Sequence, residues 1–414
     1  MSVLEIAKEV KRVADQINLA TTEKKNEILY NLKLNISKHV EEILDANFKD
    51  IENSKKNNLS LSFIERLTLN LERIKSIENS IEKVISLKDP VGEIVDGYFV
   101  KNGLKIERIR VPLGVVGVIY ESRPNVTIDS FILCVKSSNA VILRGGKEAI
   151  YTNKVLVSLI RDSLEQAGFS PFVVGFIENV DRNSCVQMMR LNGILDVLIP
   201  RGGKDLIRAV VENSRVPVIE TGAGNCHTYV DRYADFDMAL KIIYNAKTSR
   251  PSVCNALESL LVHRDIARDF LIELEKKLKP KNVELFGCEE TLKILPNIKS
   301  ATQDDYYREY LDYSMSVKIV KDVAEAVKHI NKYSSKHSEA IVTNSYFNAE
   351  YFLKCVDSAA VYVNASTRFT DGGEFLLGAE IGISTQKLHV RGPMGLKELT
   401  TTKYIIRGEG QIRV

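Results

Sequence analysis

The 414-residue chain has almost no charge imbalance: 57 Lys and Arg against 54 Asp and Glu leave a formal net charge of +3. That excludes nucleic-acid or membrane-surface binding driven by bulk charge. No apolar run approaches the roughly 20 residues that span a bilayer. The first residues, MSVLEIAKEVKRVADQIN, carry charges every few positions where a signal peptide has an apolar stretch. Six cysteines (Cys134, Cys185, Cys226, Cys254, Cys288 and Cys355) stand singly with no CxxC pair. In a chain of this size that excludes a disulfide frame or a zinc site and leaves reduced cytosolic thiols. His39, His227, His263, His329, His337 and His389 show no metal spacing. There is no GxGxxG fingerprint. What is present, 44% apolar and 27% charged residues, describes an ordinary globular protein long enough for two domains.

The first ninety residues are helical by period. Val3, Ile6, Val10, Val13 and Ile17 step by three and four, which places them on one helix face. Further helices are predicted at 22–38, 40–55 and 61–85, the last ended by Pro90. Residues 94–112 alternate apolar and polar side chains around Asn102-Gly103, a dipeptide suited to a two-residue hairpin turn with positive φ at both central positions. From Gly114, short Val/Ile-rich runs at 115–120, 140–144, 172–177, 196–200 and 216–220 alternate with helical segments, the pattern of a parallel sheet buried on both faces. A second αβ series has strands near 257–263, 283–287, 317–320, 339–343 and 360–364, and the tail from 400 alternates again as an extended arm. No Pro- or Ser-rich linker separates the two series.

Five motifs carry chemistry. Arg144-Gly145-Gly146-Lys147 and Arg201-Gly202-Gly203-Lys204 each follow a strand and open a helix. They suit phosphate groups, because glycines admit a close ligand and a helix N-terminus offers N–H groups; they also suit two tight turns with solvated cations. Cys254 lies in the polar connection Lys247–Ala256, four residues after Arg250, where cationic surroundings favour a thiolate nucleophile. Cys226 is a weaker candidate, and Cys134, Cys185 and Cys355 read as buried apolar residues. Asn125, in Glu121-Ser122-Arg123-Pro124-Asn125, falls at the carboxyl end of the first sheet strand, as an oxyanion donor or a helix cap. Glu220 precedes the Gly-rich turn 222–224 as a base, a ribose ligand or a turn residue. Asn364–Phe369, with Asp371-Gly372-Gly373, is a substrate loop or simply a loop.

Together the segments 111–127, 219–231, 248–258, 337–344 and 363–396 resemble the aldehyde dehydrogenase superfamily, and within it the branch that reduces an acyl phosphate, L-glutamyl 5-phosphate. The resemblance covers nearly the whole chain. It implies an α/β fold of two parallel-sheet domains: an NADP-binding Rossmann-like domain (1–93 and 113–225), a catalytic thiol domain (226–399), and an oligomerisation hairpin and arm (94–112 and 400–414). Cys254 takes the place of the thiol nucleophile and Asn125 that of the oxyanion amide. Glu220 matches an acidic residue counted among both the catalytic and the cofactor-contacting positions. Arg144 and Lys147 match the ribose-gripping segment, where their charge suits the 2′-phosphate of NADPH; Gly202, Gly203 and Lys204 match the pyrophosphate turn. Arg123, Arg250, Ser252, Ser366 and Arg368 are the candidate substrate contacts. The implied reaction yields glutamate 5-semialdehyde and phosphate through a cysteine thioester, a step of proline biosynthesis in the cytoplasm. Expected partners are that small molecule, further copies of the chain in a dimer or tetramer, and glutamate 5-kinase by transient channelling. The rival reading is a general NAD(P)-dependent aldehyde dehydrogenase forming a carboxylic acid.

Overall fold

The N-terminal apolar stripe forms the first helix of the computed structural model, which describes residues 1–413; Val414, the last position of the expected arm, lies outside the described residues. Helix α1 (Val3–Asn18) starts at Ser2, whose hydroxyl accepts the Glu5 N–H while the Glu5 carboxylate accepts the Ser2 N–H. This reciprocal cap satisfies two orphan donors. Helices α2 (Thr22–Lys38) and α3 (Val40–Lys56) follow. The single helix expected over 61–85 is instead two, α4 (Leu61–Leu67) and α5 (Leu71–Ser86). Buried Asn47 makes the break: its amide donates to Leu67 O at 2.9 Å and accepts the Leu69 N–H at 2.7 Å. Asn70 then caps α5 by accepting the Arg73 N–H at 2.8 Å.

Strands β1 (Ile94–Phe99) and β2 (Lys105–Pro112) form the expected hairpin. Its loop has three residues, not two, since the Val100 N–H donates to Leu104 O at 3.0 Å. Within it Gly103 takes φ +90, whereas Asn102 uses its side chain to accept the Leu104 N–H at 3.3 Å. The C-terminal strand Thr400–Arg407 pairs antiparallel with β2 along its whole length, so hairpin and arm make one three-stranded sheet.

The sheet that follows is built from β3 (Val115–Tyr120), α6 (Asn125–Lys136), β4 (Ala140–Arg144), α7 (Ile150–Gln166), β5 (Val174–Phe176), α8 (Arg182–Met189), β6 (Val197–Arg201) and α9 (Lys204–Asn213). Its strands are parallel in the order β5-β4-β3-β6. The chain steps from β3 outward to β5 and then returns to the far side of β3. Ligands in such sheets gather at that reversal, outside the carboxyl ends of the strands. The run 216–220 is not the fifth strand expected. It contributes only the Leu198–Val218 bridge, because Pro217 has no N–H to continue a ladder.

The second sheet comprises β7 (Cys226–Val230), β8 (Leu257–His263), β9 (Glu284–Gly287), β10 (Lys299–Ser300), β11 (Ser314–Val320), β12 (Ser338–Val342) and β13 (Ala360–Val363). The order is β10-β9-β11-β8-β7-β12-β13, parallel throughout. Its helices are α10 (Phe236–Thr248), α11 (Ala267–Leu278), α12 (Glu289–Ile294), α13 (Gln303–Tyr307), α14 (Val323–Tyr333) and α15 (Tyr346–Cys355). One apolar core of this layer gathers Leu257, Leu260 and Val262 of β8 with Phe270, Leu271 and Leu274 of α11. Strand β7 has no counterpart in the sequence reading; its polar Cys-His-Thr start hides a strand paired on both sides.

Two compact units result: Met1–Glu220 with Leu376–Gly382 and Met394 onward, and Thr221–Phe375 with Ile383–Pro393. The chain crosses between Glu220 and Thr221, ahead of the boundary expected after 225. The Gly222 N–H donates to Ile383 O at 2.8 Å, and Thr221 bridges Ser384. Segment 376–382 returns to the first unit, where Gly378 packs on Val84 and Leu87, and the C-terminal arm lies there too.

Candidate active site

Cys254 stands in the turn between α10 and β8, and the turn is polar yet closely held. Buried Asn255 donates its amide to Arg368 O at 3.2 Å and Thr370 O at 2.9 Å, and its own carbonyl accepts the Thr367 hydroxyl at 2.8 Å. Arg368 returns the contact, donating to Asn255 Oδ1 and, at 3.1 Å, to Ser249 Oγ. Across the backbone, the Cys226 thiol donates to the Cys254 carbonyl at 3.2 Å. Gly224 approaches so closely that a Cβ there would lie 1.5 Å from that carbonyl oxygen, so only glycine fits. The Gly224 N–H in turn donates to Glu309 Oε1 at 2.6 Å. Three remote segments thus fix the backbone of a half-buried thiol, the pre-positioning a nucleophile needs.

The expected substrate contacts of this unit divide. Ser366 is buried and accepts the Arg368 N–H at 3.3 Å, Ser252 is buried, and Arg250 is exposed. Burial, then the neighbouring Arg250 charge, lowers the Arg368 guanidinium from its usual value, and the thiols of Cys254 and Cys226 lie within its field. Below the turn, Lys247 Nζ meets Glu258 Oε2 at 2.9 Å with both side chains fully buried. Burial pushes the Glu258 carboxyl up to about 7 and Lys247 down, against their mutual attraction. Glu258 also accepts the N–H groups of Tyr310 and Leu311, each at 3.2 Å. The pair therefore joins the last turn of α10 to the first residues of β8, the two ends of the Cys254 turn.

Among the other cysteines, burial pushes the thiols of Cys134, Cys185 and Cys226 up, away from the thiolate a nucleophile requires. Cys226 serves instead as a donor to Cys254. Cys355 is half-buried, not buried as expected, because it ends α15. Burial, then the nearby His227 charge, holds His329 down at about 2. Among the described residues no group of three or more His, Cys, Asp or Glu side chains is placed to hold a metal.

In the first unit Asn125 opens α6, but Pro124 occupies the cap position. The Asn125 amide donates to Asp129 Oδ2 at 2.8 Å. Arg123 and Glu220 are half-buried. The two Arg-Gly-Gly-Lys turns differ. Arg144 is buried, donating to Ser184 Oγ at 3.3 Å and to the carbonyls of Gly145, Val180 and Asp181 at 3.2, 2.6 and 3.0 Å. The helix it precedes is already stoppered: buried Asp50 accepts the N–H groups of Tyr151 and Thr152 at 3.2 and 2.8 Å. Of this turn only Lys147 is exposed. In the second turn Gly202, Gly203 and Lys204 are all exposed. The Gly203 N–H at the start of α9 donates to Glu121 Oε2 at 2.8 Å. The Glu121 side chain thus takes up a backbone donor that a helix N-terminus otherwise leaves free.

Sequence reasoning missed Glu121, Gly224, Asn255 and Glu309. Glu121 had one available signal, its place directly after β3. Gly224 and Asn255 flanked residues already singled out, and nothing local marked Glu309.

The sequence profile of the aldehyde dehydrogenase family matches residues 2–312. The gamma-glutamyl phosphate reductase of Clostridium perfringens strain SM101 is 57% identical over 406 residues, 98% of each chain. That of Carboxydothermus hydrogenoformans is 56% identical over 99% of each. The crystal structure of the gamma-glutamyl phosphate reductase of Thermotoga maritima is similar over the full length of both chains, with 49% identity and a TM-score of 0.96. An acetylating aldehyde dehydrogenase from Geobacillus thermoglucosidasius, 15% identical with a TM-score of 0.73, shares the fold. The chain belongs to the aldehyde dehydrogenase family and, within it, to the gamma-glutamyl phosphate reductases.

Proposed function

We propose that this chain reduces L-glutamyl 5-phosphate to L-glutamate 5-semialdehyde and phosphate, with Cys254 as the covalent nucleophile and NADPH as the reductant. The observation that carries this reading is the Cys254 turn, pinned at its carbonyl and at Asn255 while its thiol is half-buried. The Cys254 thiolate attacks the acyl carbon. Its own backbone N–H and the second amide hydrogen of Asn125 stabilise the oxyanion, each such donor worth about 10²–10³ in rate. Collapse expels phosphate and leaves a thioester on Cys254. Arg250 and Arg368 supply positive charge to the leaving group, with Arg123 as a third cation. Ser252 and Ser366 shape the substrate pocket.

When bound, NADPH supplies hydride for the thioester, and the resulting thiohemiacetal releases the aldehyde from Cys254. The residues that would hold the cofactor are Gly202, Gly203 and Lys204 for the diphosphate, Glu220 for a ribose, and Lys147 for the 2′-phosphate. Arg144, with its donors on the 180–181 carbonyls, shapes the wall of that site. The exposed Tyr98, Phe99, Tyr404 and Ile406 of the three-stranded sheet are the self-association surface, giving a dimer or tetramer, and glutamate 5-kinase is the transient donor of the acyl phosphate. The cytoplasm suits a thiol that must stay reduced.

The test follows NADPH formation from glutamate 5-semialdehyde with and without phosphate. Strict phosphate dependence is expected, with a loss on the order of 10⁴-fold or more in Cys254→Ala. Turnover without phosphate would mean aldehyde oxidation to an acid and reject the reductase reading. An active Cys254→Ala would reject the covalent route.

A further inference from the structure

We propose that Glu121 is a built-in counter-anion of the cofactor turn: its carboxylate occupies the α9 N-terminus in the free protein, and the cofactor diphosphate must displace it to bind. The inference rests on the reading of Gly202-Gly203 as the diphosphate turn. Three observations carry it. The carboxylate accepts the Gly203 N–H at 2.8 Å, the very donor a diphosphate oxygen would use. Gly202 is shaped around the carboxylate, since a Cβ there would lie 2.4 Å from Glu121 Oε2 and 2.7 Å from Cδ. The glycine therefore makes room for an internal anion before it makes room for an external one.

The third observation is that only the side chain has freedom to leave. The Glu121 N–H donates to Arg201 O at 3.0 Å, and its carbonyl accepts the Arg123 N–H at 2.5 Å. The backbone of Glu121 also lies against Gly146, whose Cβ would stand 3.5 Å from Glu121 Cα. Rotation of a half-exposed side chain clears the site without moving β3, β6 or either Arg-Gly-Gly-Lys turn. Carboxylate and diphosphate repel at such range and compete for one donor, so they exclude each other. The arrangement keeps a helix N-terminus satisfied when no nucleotide is bound. It also weakens the net affinity for the cofactor, which favours its exchange after each turnover.

The experiment is calorimetric titration of the full chain, without substrate, by NADP⁺ and separately by inorganic pyrophosphate. Wild type is compared with Glu121→Ala, Glu121→Gln and Gly203→Pro, with melting temperatures as the check on folding. Gly203 has φ −68, compatible with proline, so that change removes the donor without straining φ at this position. Glu121→Ala is expected to tighten both ligands about tenfold, the worth of one charged hydrogen bond removed from the free state, with Glu121→Gln between. Gly203→Pro is expected to weaken both. Unchanged or weaker NADP⁺ binding in Glu121→Ala overturns the counter-anion role. If Gly203→Pro still weakens binding in that case, the cofactor turn stands and only Glu121 falls. If neither substitution matters, the placement of the cofactor at this turn fails and takes the proposal with it.

Discussion

Arg144-Gly145-Gly146-Lys147 and Arg201-Gly202-Gly203-Lys204 are the same four residues at the same place in two βα units, and they do different work. In the first, the arginine is buried as a clamp on the 180–181 backbone, and the helix N-terminus is sealed by a buried aspartate. In the second, the arginine is half-buried, 3.8 Å from Glu380, and the Gly203 N–H at the helix start donates to the Glu121 side chain. The glycines differ as well. A Cβ at Gly145 would strike Asn153 Nδ2 at 2.2 Å and crowd the buried Tyr120 ring, whereas a Cβ at Gly202 meets the far end of Glu121. Local sequence sets the turn; what packs behind it decides whether its glycines are buried or exposed.

The comparison can be broken most directly at the two anions. Asp50→Ala is expected to cost about 3 kcal/mol in chemical denaturation, because it strands buried N–H groups of α7, while Glu121→Ala costs less than about 1 kcal/mol. A similar loss in both would make the two helix starts equivalent. Arg144→Met is expected to destabilise by about 2–3 kcal/mol through the unpaired carbonyls it leaves, against about 0.5 kcal/mol for Arg201→Met. Gly145→Ala follows at about 1–2 kcal/mol, an overpacking cost visible as a lower melting temperature. Lys147→Met sharpens the contrast by ligand: NADP⁺ affinity is expected to fall about fivefold with NAD⁺ affinity unchanged, whereas Lys204→Met weakens both. The smallest effect is expected for Gly202→Ala, within about 0.5 kcal/mol, since a flexible side chain can yield.

Much of this architecture was legible from period alone. The fully buried strands β3 and β4 read directly as Val/Ile runs, and the 94–112 hairpin read as alternation. Where the reading failed, either a contact from elsewhere in the chain or a residue inside the run was responsible. Asn47, far from the break it causes, splits the helix expected over 61–85. Pro217 ends a ladder that its apolar neighbours promised. Strand β7 is polar at its start and is recognised only by its two partners. For the site, Cys254 was visible from its own neighbourhood. The residues that hold it, Gly224, Asn255, Glu309 and Thr370, depend on contacts across the second sheet that no local pattern records. Arg144 shows the converse: a cation whose charge the sequence displays and whose burial it conceals.

The fastening of Asn255 to Arg368 and Thr370 spans 113 and 115 positions of chain. During synthesis, the turn carrying Cys254 therefore leaves the ribosome well before the carbonyls that shape it exist. Loop closure over such a distance is a late event in folding. The turn around Cys254 thus takes its final shape only when the segment after β13 has packed against it. One half-buried thiol therefore owes its backbone setting to the last part of the second sheet to be made.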